Sequence, residues 1–119
     1  MKIPVLFAAA IFTGRATAFW GQLKAGPYND GEGGMIAQDI YVTDYNTGSV
    51  YYTLLDGGFD ACATGQCDVF FQEESGDKSY YFSARLWRTT NGCHNIDFLG
   101  ALDAHHGYCC GSLPCDIAA

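Results

Sequence analysis

Beyond the first eighteen residues, apolar positions recur with a period of two, the repeat of a strand with one face buried. In Met35 to Thr43, Ile36, Ile40 and Val42 share one face, and Ala37, Asp39, Tyr41 and Thr43 share the other. Asp44-Tyr45-Asn46-Thr47-Gly48 reads as a hairpin loop, with Gly48 suited to positive φ. Ser49 to Leu55 is the return strand, with Val50, Tyr52 and Leu54 opposed to Tyr51, Thr53 and Leu55. Asp68 to Gln72 follows, Val69 and Phe71 against Phe70, then a turn at Glu73-Glu74-Ser75-Gly76-Asp77. Lys78 to Trp87 alternates most cleanly: Tyr80, Phe82, Ala84 and Leu86 against Tyr81, Ser83, Arg85 and Trp87.

Shorter elements frame this centre. Phe19 to Leu23 predicts a first strand, and Ala25 to Gly34, rich in turn formers, predicts a loop. Phe59 to Cys67 is a loop bounded by cysteine, and Thr89-Thr90-Asn91-Gly92 is a turn. Ile96 to Leu99 reads as a short strand, Leu99 to His105 as one helical turn at most, and Tyr108 to Cys110 as a last edge strand ended by Gly111 and Pro114. No stretch carries ten residues of capped helical period. The fold class expected is mostly β: an antiparallel sandwich or barrel of five to seven strands, with at most one short helix.

The N-terminus changes the picture of where this domain works. Met1-Lys2 opens on a positive charge, Ile3 to Phe12 is uncharged and too short to span a bilayer, and Ala16-Thr17-Ala18 has the small-x-small form of a cleavage site. Residues 1–18 therefore read as a secretory signal peptide and residues 19–119 as one domain, released as a secreted, extracellular, monomeric protein. No lipid-anchor signal closes the chain. The secreted part keeps four basic residues (Lys24, Lys78, Arg85, Arg88) against thirteen acidic ones, a net charge of −9. Nucleic acid and anionic membranes are poor partners for such a surface. A neutral glycan or a basic protein patch suits it.

Six cysteines in a small secreted chain imply disulfides. They are Cys62, Cys67, Cys93, Cys109, Cys110 and Cys115. Neighbours in a strand face opposite sides, so Cys109 and Cys110 should bridge in different directions. Proximity along the chain favours Cys62–Cys67, Cys93–Cys109 and Cys110–Cys115, with a bridge from Cys62 or Cys67 to the tail as the competing arrangement. The spacings lack the form of a zinc finger, and neither a metal nor another cofactor is expected.

His94, His105 and His106, with Asp103 nearby and Glu73 or Arg85 in support, are the residues from which a small hydrolase or ribonuclease would be built. Against that, adjacent histidines point apart in an extended chain, and the acidic surface repels a polyanionic substrate. Gly-x-Ser-x-Gly and His-Glu-x-x-His motifs are absent. Asn29-Asp30-Gly31-Glu32 and Asp56-Gly57-Gly58-Phe59-Asp60 resemble fragments of calcium loops without EF-hand spacing, and turn chemistry accounts for both. No catalytic residue is assigned. The aromatic surplus points to binding instead: Tyr41, Tyr51, Tyr81 and Trp87, with Arg85, fall on faces that also carry polar groups, and they form the expected binding face.

The signal ending in Ala16-Thr17-Ala18, the short secreted chain and its six cysteines together resemble the small secreted cysteine-rich proteins of filamentous fungi, many of them candidate virulence effectors. The likeness is one of layout over the whole chain. It implies a compact β fold that binds a host or competitor protein, or a glycan, without catalysis, outside the producing cell or after delivery into a host. Cysteine-rich killer-type toxins and antimicrobial proteins share the layout, although many of those are cationic.

Overall fold

The computed structural model describes residues 19–30, 36–63, 65–74 and 80–119. The signal-peptide reading of residues 1–18 and most of the turn expected at 73–77 lie outside them. Eight strands form one antiparallel sheet: β1 (Trp20–Asp30), β2 (Ile36–Asp44), β3 (Val50–Asp56), β4 (Cys67–Glu73), β5 (Tyr81–Arg88), β6 (Cys93–Asp97), β7 (His106–Cys110) and β8 (Cys115–Ala118). A single helical turn, α1 (Gly58–Ala61), follows β3, and a 3₁₀ turn, Ala101–Asp103, precedes β7. The order β7-β6-β5-β4-β3-β2-β1-β8 is a meander whose last strand returns to the first, curling the sheet into a nearly closed barrel. The barrel form expected of the chain is present, with one strand more than the upper end of the expected range.

Two departures lengthen the sheet. The loop expected from residue 25 is in part strand, because β1 continues to Asp30 with a register shift between Ala25 and Tyr28. That bulge lies at Gly26-Pro27, where proline has no N–H to give to a ladder. The tail, read as ending at Gly111 and Pro114, instead forms β8, pairing Leu23 with Cys115 and Trp20 with Ala118. Four residues are too few to show a period, and their partner is almost a whole chain length away.

The interior is filled largely by the alternate residues the pattern marks, although Ile36, expected on the inner side of β2, is exposed and Ala37, expected on the other side, is buried. Leu23, Ile40, Val42, Leu55, Phe71, Ala84, Leu86, Ile96 and Ile117 are all buried. Phe98 packs on Phe19 (4.7 Å between ring centroids) and Phe82 (5.8 Å), and Phe82 packs on Phe71 (5.1 Å) and Tyr51 (5.2 Å). Gly21 makes room for Phe19: a Cβ there would lie 2.6 Å from the phenylalanine ring and 2.0 Å from the Thr43 carbonyl oxygen. Burying these alternate side chains supplies the main drive for closure, at about 25 cal/mol per Å² of apolar surface.

Closure is incomplete at two places. β3 and β4 pair only at Tyr51–Glu73 and Tyr52–Gln72, then part around a cleft of about 580 Å³ beside Leu54 and Phe70. Between β7 and β8 a covalent bond, Cys109–Cys115, spans the seam. Gly107 sits against β8 there, and a Cβ on it would lie 2.6 Å from the Ala118 carbonyl oxygen.

All six cysteines are paired. Cys62–Cys67 is as expected. The other two bridges are Cys93–Cys110 and Cys109–Cys115, which exchanges the partners that proximity favoured. The reason is register. Phe98 is drawn into the core and its N–H donates to the His105 carbonyl, and the ladder continuing from this pair sets Cys93 opposite Cys110. A slip of one residue would turn every side chain of β7 to the other face. Cys109 and Cys110 do bridge in different directions, one to β8 and one to β6.

Candidate functional site

The outer wall of the barrel carries several exposed rings, among them Phe70, Tyr81 and Tyr108. On β5 the alternation leaves Tyr81, Ser83 and Arg85 exposed and Trp87 half-buried, while Phe82, Ala84 and Leu86 point inward. Three of the five expected face residues, Tyr81, Arg85 and Trp87, are thus brought together on one strand. Antiparallel register extends the wall sideways: Lys24, Tyr41, Tyr52, Gln72 and Tyr81 stand directly opposite one another in sequence from β1 to β5. The Lys24 ammonium lies 5.4 Å from the centre of the Tyr41 ring, Tyr41 and Tyr52 are 5.3 Å apart, and the Gln72 amide donates to the Tyr81 hydroxyl at 3.4 Å. Tyr41 belongs to this row, so it joins Tyr81 across three strands.

Tyr51 does not belong to the face. It is 5% exposed and packs on Phe82 and Tyr80 from inside. β3 is apolar on both sides, so its pattern leaves open which side turns in. The pairing of β3 with β2 decides it, by placing Tyr51 opposite the buried Val42.

Residues not assigned to the face complete it. Phe70 is 59% exposed and stacks on Tyr81 at 5.4 Å and 20°. Tyr108 is equally exposed, and His106 lies between it and Trp87, 5.2 Å from Trp87 and 6.0 Å from Tyr108. The His106 ring also meets the Asn95 side-chain oxygen through Nε2 at 2.8 Å. Asp68 accepts from Arg85 Nε at 2.9 Å and holds the guanidinium against the wall. Beside that pair, a shallow cleft of about 410 Å³ lies between Phe70, Ser83, Arg85 and Leu99. The signal for Phe70 was in the sequence, where it stands alone against Val69 and Phe71. That for Tyr52 was the same alternation on β3. Two of the wall hydroxyls are shifted upward: loss of solvent raises Tyr41, and Tyr52, which loses solvent and donates to Asp39 at 2.7 Å, is pushed up to about 12. Tyr41 and Tyr52 thus offer rings and hydroxyl groups without phenolate charge.

The histidines do not converge. His106 is on the outer wall, stacked between Trp87 and Tyr108, and His105 is exposed in the segment before β7. His94 is inside, opposite Arg88 in the β5–β6 pairing and edge-on to Phe59 at 4.9 Å. Asp103 is exposed in the 3₁₀ turn, and Glu73 stands at the end of β4 opposite Tyr51. The hydrolase arrangement that would need these groups around one reacting atom is not assembled.

A second constellation, at one end of the barrel, was not foreseen. α1 lies across this end. Asp60 accepts from Arg88 Nη1 at 2.8 Å and from the Tyr28 hydroxyl at 3.2 Å, and Gln38 accepts the Phe59 N–H at 3.2 Å. Burial, and then the neighbouring Arg88 charge, hold His94 below the usual histidine range, with Asp60 opposing weakly. Arg88 was read only as part of the charge count, since one arginine at a strand end carries no pattern.

Among the described residues no group of three or more His, Cys, Asp or Glu is placed to hold a metal ion. No helix there is long and apolar enough to cross a membrane. Comparison with known protein families, curated proteins and solved structures finds no match to this chain.

Proposed function

We propose that this is a secreted, effector-like protein that acts by binding a protein or a neutral glycan through the outer wall of its barrel, without catalysis. The observation that carries this reading is the continuous display of Tyr41, Tyr52, Phe70, Tyr81, Trp87 and Tyr108 across one curved surface, interleaved with Gln72, Ser83 and Arg85. A domain this small has a strong incentive to bury such rings, and the exposure of several together marks an interaction surface. Aromatic faces stack on sugar rings or fill pockets of a protein partner, while the amide, hydroxyl and guanidinium groups fix orientation. Three disulfides in so small a fold fit an oxidising, extracellular setting. The acidic surface favours a partner that is neutral or basic.

The test is retention on immobilised chitin and β-glucan, alongside capture of proteins from a host extract. Replacement of Tyr81, Arg85 and Trp87 by alanine should reduce retention of the partner found at least about tenfold, since losing two or three anchors costs more than 1.4 kcal/mol. The melting temperature of the variant controls for folding. If the folded variant retains every ligand as the parent does, the outer wall is not the binding surface.

A further inference from the structure

The hydrogen-bonding groups around the mouth of the barrel beside α1 are unevenly used. The cavity there measures about 510 Å³ and is lined by Gln38, Arg88, Gly92, His94, Gly111 and Ser112 among others. Several of these groups are engaged. Gln38 donates to the Gly26 carbonyl and accepts from Phe59. The Gly92 N–H donates to the Thr89 carbonyl, and the Gly111 N–H to the Gly92 carbonyl. Asp60, the nearest carboxylate, is taken by Arg88 Nη1 and Tyr28.

Two side chains there keep unused nitrogens. Arg88 uses Nη1 on Asp60, which leaves Nε and Nη2 without a protein partner among the described residues. His94 is only 9% exposed, yet neither ring nitrogen is hydrogen-bonded within the described residues. Nδ1 is sealed from solvent, so Nε2 is the nitrogen the cavity reaches, and the neutral ring is best served by carrying its proton there. A buried polar side chain without a partner is uncommon in a folded protein and calls for an explanation. Barrel mouths are also a usual place for small-molecule sites, and the volume is in the range such sites occupy.

We propose that this mouth is a binding site for a small carboxylate, held by the free edge of the Arg88 fork and by His94 Nε2, with the Ser112 hydroxyl at the rim. A carboxylate presents two oxygens to a guanidinium in a matched pair of hydrogen bonds, and its remaining lone pairs accept from imidazole and hydroxyl. A cation finds no free carboxylate in this cavity. The site is separate from the outer wall, so it stands or falls independently of the binding function proposed there.

The experiment is an NMR titration of ¹⁵N-labelled protein with sodium acetate and sodium succinate, at constant ionic strength, with sodium phosphate in parallel. Saturable shifts are expected at the Gly92 and Gly111 amides and at the His94 ring, while the amides of Phe70 and Tyr81 stay in place. Arg88→Lys should weaken the acetate or succinate affinity at least about tenfold, because a point charge cannot form the paired contact. His94→Phe keeps the ring volume and should weaken it several-fold. Melting curves establish that each variant is folded, and either variant alone suffices for the comparison. Absence of saturable shifts at the mouth with both carboxylates would overturn the proposal. So would unaltered affinity in a folded variant, or phosphate binding about tenfold tighter than either carboxylate.

Discussion

His94 concentrates the electrostatics of the fold in one side chain. It stands on the inner face of β6, against Phe59 and opposite Arg88. Burial disfavours its charged form, and Arg88 adds to that, so its folded pKa is below the unfolded value of about 6.5. Below that pH the unfolded chain takes up a proton that the folded chain resists, so the unfolded state binds more protons and stability falls as the pH drops. The contribution is intact above the unfolded pKa and is lost progressively from about pH 7 downward. A melting series from pH 8 to pH 5 should therefore show a steeper decline in the parent than in His94→Phe, which removes the titrating group and keeps the ring. Parallel curves for the two proteins would mean that His94 is not the acid-sensitive group. The same residue shows how little a single position reveals in the sequence. In the sequence His94 reads only as a candidate member of a catalytic set, and the inward turn of β6 makes it a core residue.

Among the elements, β7 and β8 are the pair whose meeting the sequence did not announce. β7 offers Gly107 to the seam, and its missing side chain lets the backbone of Ala118 come close. Glycine within a strand is ordinarily a weakness, and here the close approach of a second backbone accounts for it. Gly107→Ala should destabilise the fold by roughly 1–3 kcal/mol, the usual cost of forcing a methyl group into filled space, seen as a lower urea midpoint with the slope unchanged. A substitution tolerated without loss would show that β7 and β8 are not in contact in solution. The central elements were far more legible. β4 and β5 turn inward the sides the pattern marks; β2 does so at Ile40 and Val42 but not at its start, where Ile36 is exposed and Ala37 buried, and the two apolar sides of β3 left its orientation open. β1 was read too short because Gly26-Pro27 is a turn signal in isolation, and a bulge in the ladder absorbs it.

At the scale of the whole molecule, the disulfides do different things. Cys62–Cys67 closes the short loop that follows α1, and Cys93–Cys110 ties two strands already paired. Cys109–Cys115 alone joins the first and last parts of the sheet order across the open seam. Replacing Cys109 and Cys115 together by serine should cost about 2–5 kcal/mol, and should raise hydrogen exchange in β8 ahead of the other strands. Equal exchange in β8 and the core of β5 would show that the seam is held by something other than this bond. Peptide mapping of the unreduced protein provides a direct reading of the pairing, with Cys93–Cys110 and Cys109–Cys115 expected in place of the arrangement that proximity favours.

The sequence by itself determined that the chain is a β protein, which stretches form its middle strands, that its cysteines are structural, and that Tyr81, Arg85 and Trp87 share a face. These are local properties: alternation assigns sides within one strand, and the excess of acidic residues is independent of shape. Tertiary structure alone decided what depends on pairing between distant segments. The register of β6 with β7 exchanged two disulfide partners, the pairing of β2 with β3 turned Tyr51 inward, and the return of β8 to β1 made a sheet into a barrel. Side-chain period repeats every two residues, so periodicity opposes a slip of one residue but cannot choose between registers two residues apart, nor name the partner strand. That selection is made by Phe98 and the other rings competing for one interior.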